Sequence, residues 1–173
     1  NHELSSLILR IHSEHRSCFK TIYSRNSSKK LLFGLGSDFT YIKTGGKWYY
    51  LCIIMDLFSR KVIAWHISAK PDTSLILTTF HKAYAKRNPP AGLMFHSDQG
   101  SQYTASAFRQ LLDSLHIVQS FSKRGYPFDN ACCECFFKYL KKEQIHEIII
   151  SPLSSSVSLS LNILRAIIIP KDP

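Results

Sequence analysis

The segment HSDQGSQY, residues 96–103, decides how the rest of this chain is interpreted. The apolar run before it, residues 92–95, is bounded by turn residues, which predicts a short buried strand that stops at Asp98. A carboxylate at the end of a buried strand is costly unless a cation or a hydrogen-bond donor compensates its charge. Asp98 is therefore a candidate ligand for a cation.

Two other acidic residues are candidates for sharing that cation. Asp38 lies in SDFTYI, residues 37–42, and Glu134 lies in DNACCECFF, residues 129–137; the 35 residues from 99 to 133 separate Asp98 from Glu134. Oxygen ligands on rigid elements suit Mg²⁺, and two such ions about 4 Å apart serve phosphodiester displacement. Each acid alone is more readily explained as structural. Their occurrence together with a basic helix stripe favours one shared site, although spacing alone does not decide it.

Composition and charge narrow the class of protein. A chain of 173 residues can bury a core as one domain. The net charge of +10 favours an anionic partner, with nucleic acid the leading candidate, although a basic surface that only aids solubility would also explain it. The five cysteines form no disulfide framework and suit a reducing cytoplasm, and no apolar run reaches membrane-spanning length. Cys132 and Cys135 are interpreted as small buried side chains rather than zinc ligands.

Apolar periodicity and turn residues predict an α/β domain built on a mixed five-stranded sheet flanked by helices. Two successive hairpin connections imply that the first three strands are antiparallel. In the helix predicted after Pro71, Asp72 is a plausible cap and the buried stripe is Leu75, Ile76, Thr79, Phe80 and Ala83. The predicted strands are 39–43, 48–55, 61–67, 92–95 and 117–118, and the predicted helices are 72–86, 104–115 and 127–146.

The last predicted helix has two different sides. One carries a polar stripe at four-residue spacing, and another carries apolar side chains that can face a core. The polar stripe is either an exposed ladder of ion pairs or a face that handles phosphates with one metal-binding acid. The polar stripe is Asn130, Glu134, Lys138 and Lys142, and the other side is Ala131, Phe137, Leu140 and Gln144.

Four stretches together resemble the orfB-type insertion-sequence transposases, members of the retroviral-integrase-like DDE superfamily. They are SDFTYIKT (37–44), WYYLCIIMDLFSRKVIAWHIS (48–68), FHSDQGSQYTASAFRQLL (95–112) and QSFSKRGYPFDNACCECFFKYLKKEQIH (119–146). The resemblance implies a ribonuclease-H-like fold on which Asp38, Asp98 and Glu134 are the catalytic, metal-binding acids of a site with two Mg²⁺ (or Mn²⁺) ions. It implies cleavage of an element's end to free a 3′-hydroxyl, followed by attack of that hydroxyl on target DNA.

The same resemblance suggests which residues contact DNA and which partners the protein has. The partners implied are double-stranded DNA, as element ends and target, and further copies of the chain in a homo-oligomer, with no membrane and a cytoplasmic, nucleoid-associated location. Asp56 and Asp129 are interpreted as structural, and His96 either orients Asp98, touches phosphate or is a satisfied near-core histidine. The predicted DNA-binding residues are Gln99, Ser101, Tyr103, Lys123, Arg124, Asn130, Lys138, Lys141 and Lys142.

The two ends of the chain depart from the family pattern. Residues 1–36 are expected to be a truncated DNA-binding remnant with a basic linker, residues 37–147 the catalytic core, and residues 148–173 an aberrant tail. A back-translation of NILRAIIIPKDP, residues 162–173, read one base later gives the family-like string YIEGYYNPKRP. We therefore hypothesise a frameshift near Glu147, which stop codons or unrelated sequence in the shifted frame of the gene would exclude.

Three functions fit these observations. The leading one is a metal-dependent transposase core, with the altered ends raising the question of whether this copy is defective in transposition. The second is a non-catalytic DNA-binding remnant that keeps the basic surface and the fold. The third is a metal-dependent nuclease of the same fold, because one fold supports several functions.

Overall fold

The structure, a computed structural model, describes residues 34–44, 47–87, 89, 92–123 and 130–150. The strands are β1 (Gly34–Thr44), β2 (Lys47–Asp56), β3 (Val62–Ser68), β4 (Met94–Ser97) and β5 (Val118–Phe121). The helices are α1 (Thr73–Arg87), the single turn α2 (Ser101–Thr104), α3 (Ser106–Ser114) and α4 (Ala131–Ile150). None of the helices in these ranges is long and apolar enough to cross a membrane.

The predicted mixed five-stranded sheet is confirmed. Its strand order is β3-β2-β1-β4-β5. The two hairpins make β1, β2 and β3 antiparallel, whereas β4 and β5, each reached through helical segments, run parallel to β1. Parallel neighbours need such crossovers, which explains why the second half of the chain alternates strand and helix.

β1 joins the antiparallel half of the sheet to the parallel half. It pairs with β2 from Leu35 to Thr44, but with β4 only at Gly34, Leu35 and Gly36. Among the described residues, no strand pairs with β1 on the β4 side beyond Gly36. The edge of β1 from Ser37 onward is therefore open to other elements, and Asp38 lies at the beginning of that open edge.

Two apolar cores lie on opposite faces of the sheet. One is formed with α4, whose Phe136, Phe137 and Leu140 pack against the buried run Leu51, Ile53 and Met55 of β2. The other lies under α1 to α3 and is rich in aromatic rings, with edge-to-face contacts among Phe80, Phe95 and Phe108. The sheet thus has helices on both faces.

Local signals in the sequence identify α1 correctly. Its buried residues are the five predicted for the stripe, and Asp72 Oδ1 accepts hydrogen bonds from Ser74 Oγ at 2.6 Å and from Leu75 N at 3.3 Å. Cys132 and Cys135 are buried, as predicted, and neither forms a disulfide. The apolar side predicted for the last helix is also confirmed at Ala131, Phe137 and Leu140.

Several predicted boundaries differ from the structure, including those of β4 and β5, predicted at 92–95 and 117–118. β1 begins at Gly34 rather than at residue 39, so residues 34–36 belong to the sheet and not to a linker. A Cβ on Gly36 would lie 2.7 Å from Leu57 Cδ2, so the glycine reflects close packing within the fold. The helix predicted at 104–115 is interrupted at Ala105, and the helix predicted at 127–146 continues to Ile150 as α4. Residues 1–33 and 151–173 lie outside the described part of the chain.

Candidate active site

Asp38 lies on the face of β1 that meets α4. A Cβ on Gly36 would lie 3.7 Å from Cys133 Sγ of α4, and Asp38, two residues further along the strand, shares that face. Its Oδ1 accepts a hydrogen bond of 2.7 Å from the backbone N–H of Phe39. The side chain of Asn130, next to the beginning of α4, is a second hydrogen-bond donor to this carboxylate. Asp38 is thus held partly buried between a strand and a helix.

The electrostatics of Asp38 bring the three predicted acids together. Burial raises the pKa of the Asp38 carboxyl from 3.8 to about 7, while the hydrogen bonds from Phe39 and Asn130 oppose the shift. The negative charges of Asp98 and Glu134 add to the increase. Two carboxylates that are distant in sequence therefore act on a third at the open edge of β1, which is the arrangement expected of a functional cluster of acids.

Asp98 comes directly after β4 and is exposed. Its Oδ1 accepts a hydrogen bond of 2.9 Å from the backbone N–H of Gly100, which fixes the turn that leads into α2. A Cβ on Gly100 would lie 3.0 Å from that same Oδ1, so a side chain at position 100 would crowd the carboxylate. The glycine of the HSDQGSQY segment therefore leaves room for the acid that precedes it.

Glu134 is exposed on the first turn of α4, and its N–H bonds to the Asn130 carbonyl at 3.2 Å. The beginning of a helix favours negative charge because its N–H groups and its dipole present partial positive charge there. The polar stripe predicted for this helix continues outward, with Lys138 and Lys142 exposed. One side of α4 thus carries the acid near Asp38 and basic residues beyond it.

Two of the predicted DNA contacts, Tyr103 and Asn130, are buried in the structure. Tyr103 is 0% exposed, and its hydroxyl lies 2.9 Å from Ser37 Oγ, which also donates to the Ile53 carbonyl at 2.8 Å. Burial raises the pKa of the Tyr103 phenol well above its usual value. Asn130 is 7% exposed, and its side chain is used by Asp38. Tyr103 and Asn130 thus stabilise Ser37 and Asp38, and they have little exposed surface for contact with DNA.

Ser37 is the supporting residue that the sequence interpretation missed. A small polar side chain within a buried strand must find a hydrogen-bond partner, and Ser37 finds both Tyr103 and the backbone of β2. The need of a buried serine for a hydrogen-bond partner was the feature of the sequence that could have identified Ser37. Since Ser37 immediately precedes Asp38, the hydrogen bond between the Ser37 and Tyr103 hydroxyls fixes the part of β1 that carries Asp38.

Most of the remaining predicted DNA contacts that the structure describes lie at exposed positions. Gln99, Ser101 and Lys123 are exposed, and Gln99 Nε2 donates to the Ser122 carbonyl at 3.3 Å. Lys141 is half-buried, with its Nζ 4.2 Å from the centroid of the Tyr41 ring. Arg124 lies outside the described residues, as does Asp129. Their contacts with DNA stay predictions.

His96 and Asp56 have structural surroundings. His96 is buried, with Nδ1 3.0 Å from Ser120 Oγ and Nε2 3.2 Å from Ser122 Oγ, which matches the near-core alternative. Asp56 Oδ1 accepts the N–H groups of the following turn, and its Oδ2 lies 2.9 Å from Arg87 Nη2. The prediction that Asp56 is a turn residue is confirmed.

The acids fit a divalent cation by their chemistry more than by their present geometry. Within the described residues, no three His, Cys, Asp or Glu side chains form a group that could hold a metal ion. The donor set is nevertheless all carboxylate oxygen, which is the preference of Mg²⁺. The charges of Asp98 and Glu134 disfavour ionisation of Asp38, and a divalent cation would reverse that effect. Asp98 and Glu134 are exposed, so their side chains have room to reorient.

The chain belongs to the integrase core domain family, whose model matches residues 35–127. The transposase for insertion sequence element IS904 of Lactococcus lactis is 38% identical over 126 residues, covering 73% of this chain and 49% of that protein. Transposase InsF for insertion sequence IS3A of Escherichia coli is 37% identical over 109 residues, covering 63% of this chain and 38% of that protein. The predicted resemblance to insertion-sequence transposases is confirmed, and the chain spans half or less of the length of these relatives.

Solved structures confirm the ribonuclease-H-like fold. The simian T-cell lymphotropic virus intasome in complex with PP2A regulatory subunit B56 gamma matches with a TM-score of 0.64 at 19% identity, over 78% of this chain and 48% of that chain. The trimeric form of the HTLV-2 integrase catalytic core domain in complex with magnesium matches with a TM-score of 0.61 at 20% identity, over 79% and 82%. At these identities the likeness concerns the fold.

The raised pKa of Asp38 predicts how stability depends on pH. Because the folded pKa lies above the unfolded value, the folded state retains a proton between about pH 4 and pH 7 that the unfolded state has lost, so Asp38 progressively lowers the free energy of unfolding as pH rises through that window. The three-unit shift corresponds to about 4 kcal/mol, which we reduce to about 2 kcal/mol for residual solvent screening. Asp38→Asn is therefore expected to be more stable than the wild type by about that amount at pH 8, and equally stable near pH 4.

Urea unfolding at pH 4, 6 and 8 in the presence of EDTA measures this difference, with Asp113→Asn as the control for loss of an exposed carboxylate. An Asp38→Asn variant that is less stable than the wild type at pH 8 would contradict the account.

The burial of Tyr103 predicts that Tyr103→Phe affects stability and not DNA affinity. Loss of the hydroxyl removes the bond to Ser37 but leaves the bond from Ser37 to Ile53 in place, so the free energy of unfolding should fall by about 1 kcal/mol. Urea unfolding and fluorescence anisotropy of a labelled duplex measure the two quantities, and Tyr49→Phe on half-exposed Tyr49 is the matched control. Unchanged stability with weakened DNA binding would restore Tyr103 as a DNA contact.

Proposed function

We propose that this chain is the catalytic core of an insertion-sequence transposase that cleaves and joins DNA strands with the help of divalent metal ions. The observation that carries the proposal is that Asp98 and Glu134, though distant from Asp38 in sequence, both raise the pKa of the Asp38 carboxyl at the open edge of β1. Membership of the integrase core domain family and the likeness to two insertion-sequence transposases support it independently.

The proposed reaction consists of two phosphoryl transfers. In the first, a water oxygen bonds to phosphorus at the element's end while the bond from phosphorus to the 3′-oxygen breaks, and that oxygen takes up a proton as a 3′-hydroxyl. In the second, the freed 3′-oxygen bonds to a target phosphorus, a target 3′-oxygen leaves, and the proton passes from one oxygen to the other. Each step exchanges one phosphorus–oxygen bond for another, so neither needs an oxidant or a reductant.

Asp38, Asp98 and Glu134 are the residues that would hold two Mg²⁺ or Mn²⁺ ions. When bound, such ions supply activation of the attacking oxygen and stabilisation of the leaving oxygen. The solved HTLV-2 integrase core that shares this fold is a complex with magnesium. In our proposal the chain's own contribution is to hold Asp38 in place through Phe39 N–H and Asn130.

Double-stranded DNA, as element ends and as target, is the proposed substrate. The net charge of +10 favours a polyanion, and exposed Lys138 and Lys142 follow Glu134 along α4 at four-residue spacing. We further propose that the protein acts as a homo-oligomer at the nucleoid. The HTLV-2 integrase core has been solved in dimeric and trimeric forms.

We place the catalytic core at residues 34–150, which adjusts the predicted range of 37–147 to the observed bounds of β1 and α4.

A DNA-binding remnant without catalysis is the second candidate function. The observation that favours it is that, in the described part of the chain, no three potential ligands are arranged to hold a metal ion. The two candidate functions differ in whether adding a divalent metal ion leads to cleavage or joining of DNA.

An assay of cleavage and strand transfer on supercoiled and linear DNA tests the proposal. The wild type is expected to act with Mg²⁺ or Mn²⁺ and to be inactive with EDTA. Asp98→Asn and Glu134→Gln are each expected to lose activity by about 100-fold or more, the scale for removing one group that stabilises transition-state charge. Asp113→Asn, which changes an exposed carboxylate on α3, should retain activity.

The outcomes separate the candidate functions. Metal-dependent nicking without joining would identify a nuclease. DNA binding by a cooperatively folded wild type that neither nicks nor joins DNA would identify the non-catalytic remnant. Activity that survives both Asp98→Asn and Glu134→Gln would show that the three acids do not form the active site.

A further inference from the structure

The hairpin formed by β1 and β2 carries an exposed aromatic pair that the proposed catalytic site does not use. Tyr41 is 55% exposed and Trp48 is 50% exposed, and their ring centroids lie 5.3 Å apart in an edge-to-face arrangement. Within the described residues, neither ring packs into either of the two apolar cores. Exposed aromatic rings that do not serve the core are characteristic of binding surfaces.

Each of these rings has a lysine ammonium group close to it. Lys43 Nζ lies 5.4 Å from the Trp48 ring centroid, and Lys141 Nζ of α4 lies 4.2 Å from the Tyr41 ring centroid. We call the surface formed by Tyr41, Lys43, Trp48 and Lys141 the hairpin patch. Cation–π contacts at exposed sites are weak, so a stronger anionic partner can draw the lysines away and free the ring faces.

The positive charge of the hairpin patch favours an anionic binding partner over a second copy of the chain. Residues 39–50, FTYIKTGGKWYY, contain two basic residues, Lys43 and Lys47, and no Asp or Glu. Lysines on both copies would face one another in a symmetric contact between two chains, which disfavours self-association. An anion that also offers flat π-faces satisfies both the lysines and the rings, and nucleic acid has both features.

The hairpin patch lies within a few nucleotides of the acids. Tyr41 is three residues beyond Asp38 along β1, about 10 Å at the strand rise, and this odd spacing places the two side chains on opposite faces of the strand. The Tyr41 ring is nevertheless reached from the Asp38 face, because Lys141 Nζ of α4 lies 4.2 Å from its centroid. Lys141 is seven residues beyond Glu134 along α4, again about 10 Å at the helix rise. A B-form strand covers that distance in about three nucleotide steps. A DNA strand with a phosphate at the acids therefore reaches the patch with a neighbouring nucleotide.

We propose that the hairpin patch binds an unpaired base of the DNA strand held at the active site, stacking it on Trp48 with Tyr41 against its edge, while Lys43 and Lys141 contact the flanking phosphates. The inference rests on the proposed function, because it takes DNA as the substrate. A continuous duplex exposes π-faces only at its ends, so the patch favours frayed or single-stranded DNA over closed duplex.

Trp48 fluorescence tests the stacking directly, because the chain has two tryptophans and a Trp65→Phe background leaves Trp48 as the sole reporter. Three probes are compared: a single-stranded oligonucleotide, an abasic strand of equal length and charge, and a closed dumbbell duplex without ends. The single strand is expected to quench Trp48, and the abasic strand and the dumbbell are expected to bind without quenching.

Affinity measured by anisotropy in the otherwise wild-type chain makes the test independent of the Trp65 substitution. Trp48→Ala should weaken binding of the single strand about tenfold, within the range for one base–aromatic stack, and should leave dumbbell affinity unchanged. Phe58→Ala is the matched control, since Phe58 is 67% exposed beyond the opposite end of β2. This control should change neither affinity.

Three results would overturn the inference. The first is an unquenched Trp48 together with unchanged single-strand affinity in Trp48→Ala. The second is equal loss of affinity for the intact and abasic strands, which would reduce the patch to a general anion site. The third is a change in sedimentation-equilibrium mass in Trp48→Ala with DNA affinity unchanged, which would make the patch a contact between copies.

The same experiments distinguish failure of the inference from failure of the proposed function. Quenching of Trp48 by single strands in a wild-type protein that shows no metal-dependent cleavage would support the base-binding patch and contradict the proposed enzymatic function. Metal-dependent cleavage by the wild type, together with normal single-strand binding by Trp48→Ala, would support the proposed enzymatic function and contradict base binding at the hairpin patch.

Discussion

The structure depends on the point at which β1 loses its pairing with β4. The two strands share only three residue pairs, ending at Gly36, after which β1 continues along β2 to Thr44. Asp38 lies just past that point, and Asp98 directly follows β4. A sheet paired throughout would leave no opening here, whereas this one has an opening with a carboxylate on each side of it and α4 across one face.

Concentrating negative charge at this opening has a cost that the fold only partly offsets. The N–H of Phe39 and the side chain of Asn130 donate to Asp38, but burial and the neighbouring charges still raise its pKa to about 7. Beneath it, Ser37 and Tyr103 form a buried hydroxyl pair that fixes the strand. Such an unfavourable grouping of carboxylates is better explained by function than by stability.

The sequence predicts most of what local pattern determines and misses what depends on distant contacts. The stripe of α1 and the antiparallel hairpins follow from periodicity and turn residues. Residues 34–36 carry no strand signal, because their place in the sheet depends on β4 and on the close approach of Leu57. Tyr103 stands in the same short segment as Asp98, yet packing places one in the core and the other in solvent. The resemblance to the transposase family therefore suggested a DNA contact at a residue that packing buries.

The most direct test of the central claim, that Asp38, Asp98 and Glu134 form one metal site, is a crystal structure of the wild-type chain grown with Mn²⁺ and measured for anomalous scattering. The account predicts an anomalous peak at the open edge of β1, about 2 Å from carboxylate oxygens of these acids. An ordered site with no peak there at saturating Mn²⁺, or a peak held by other residues, would contradict it.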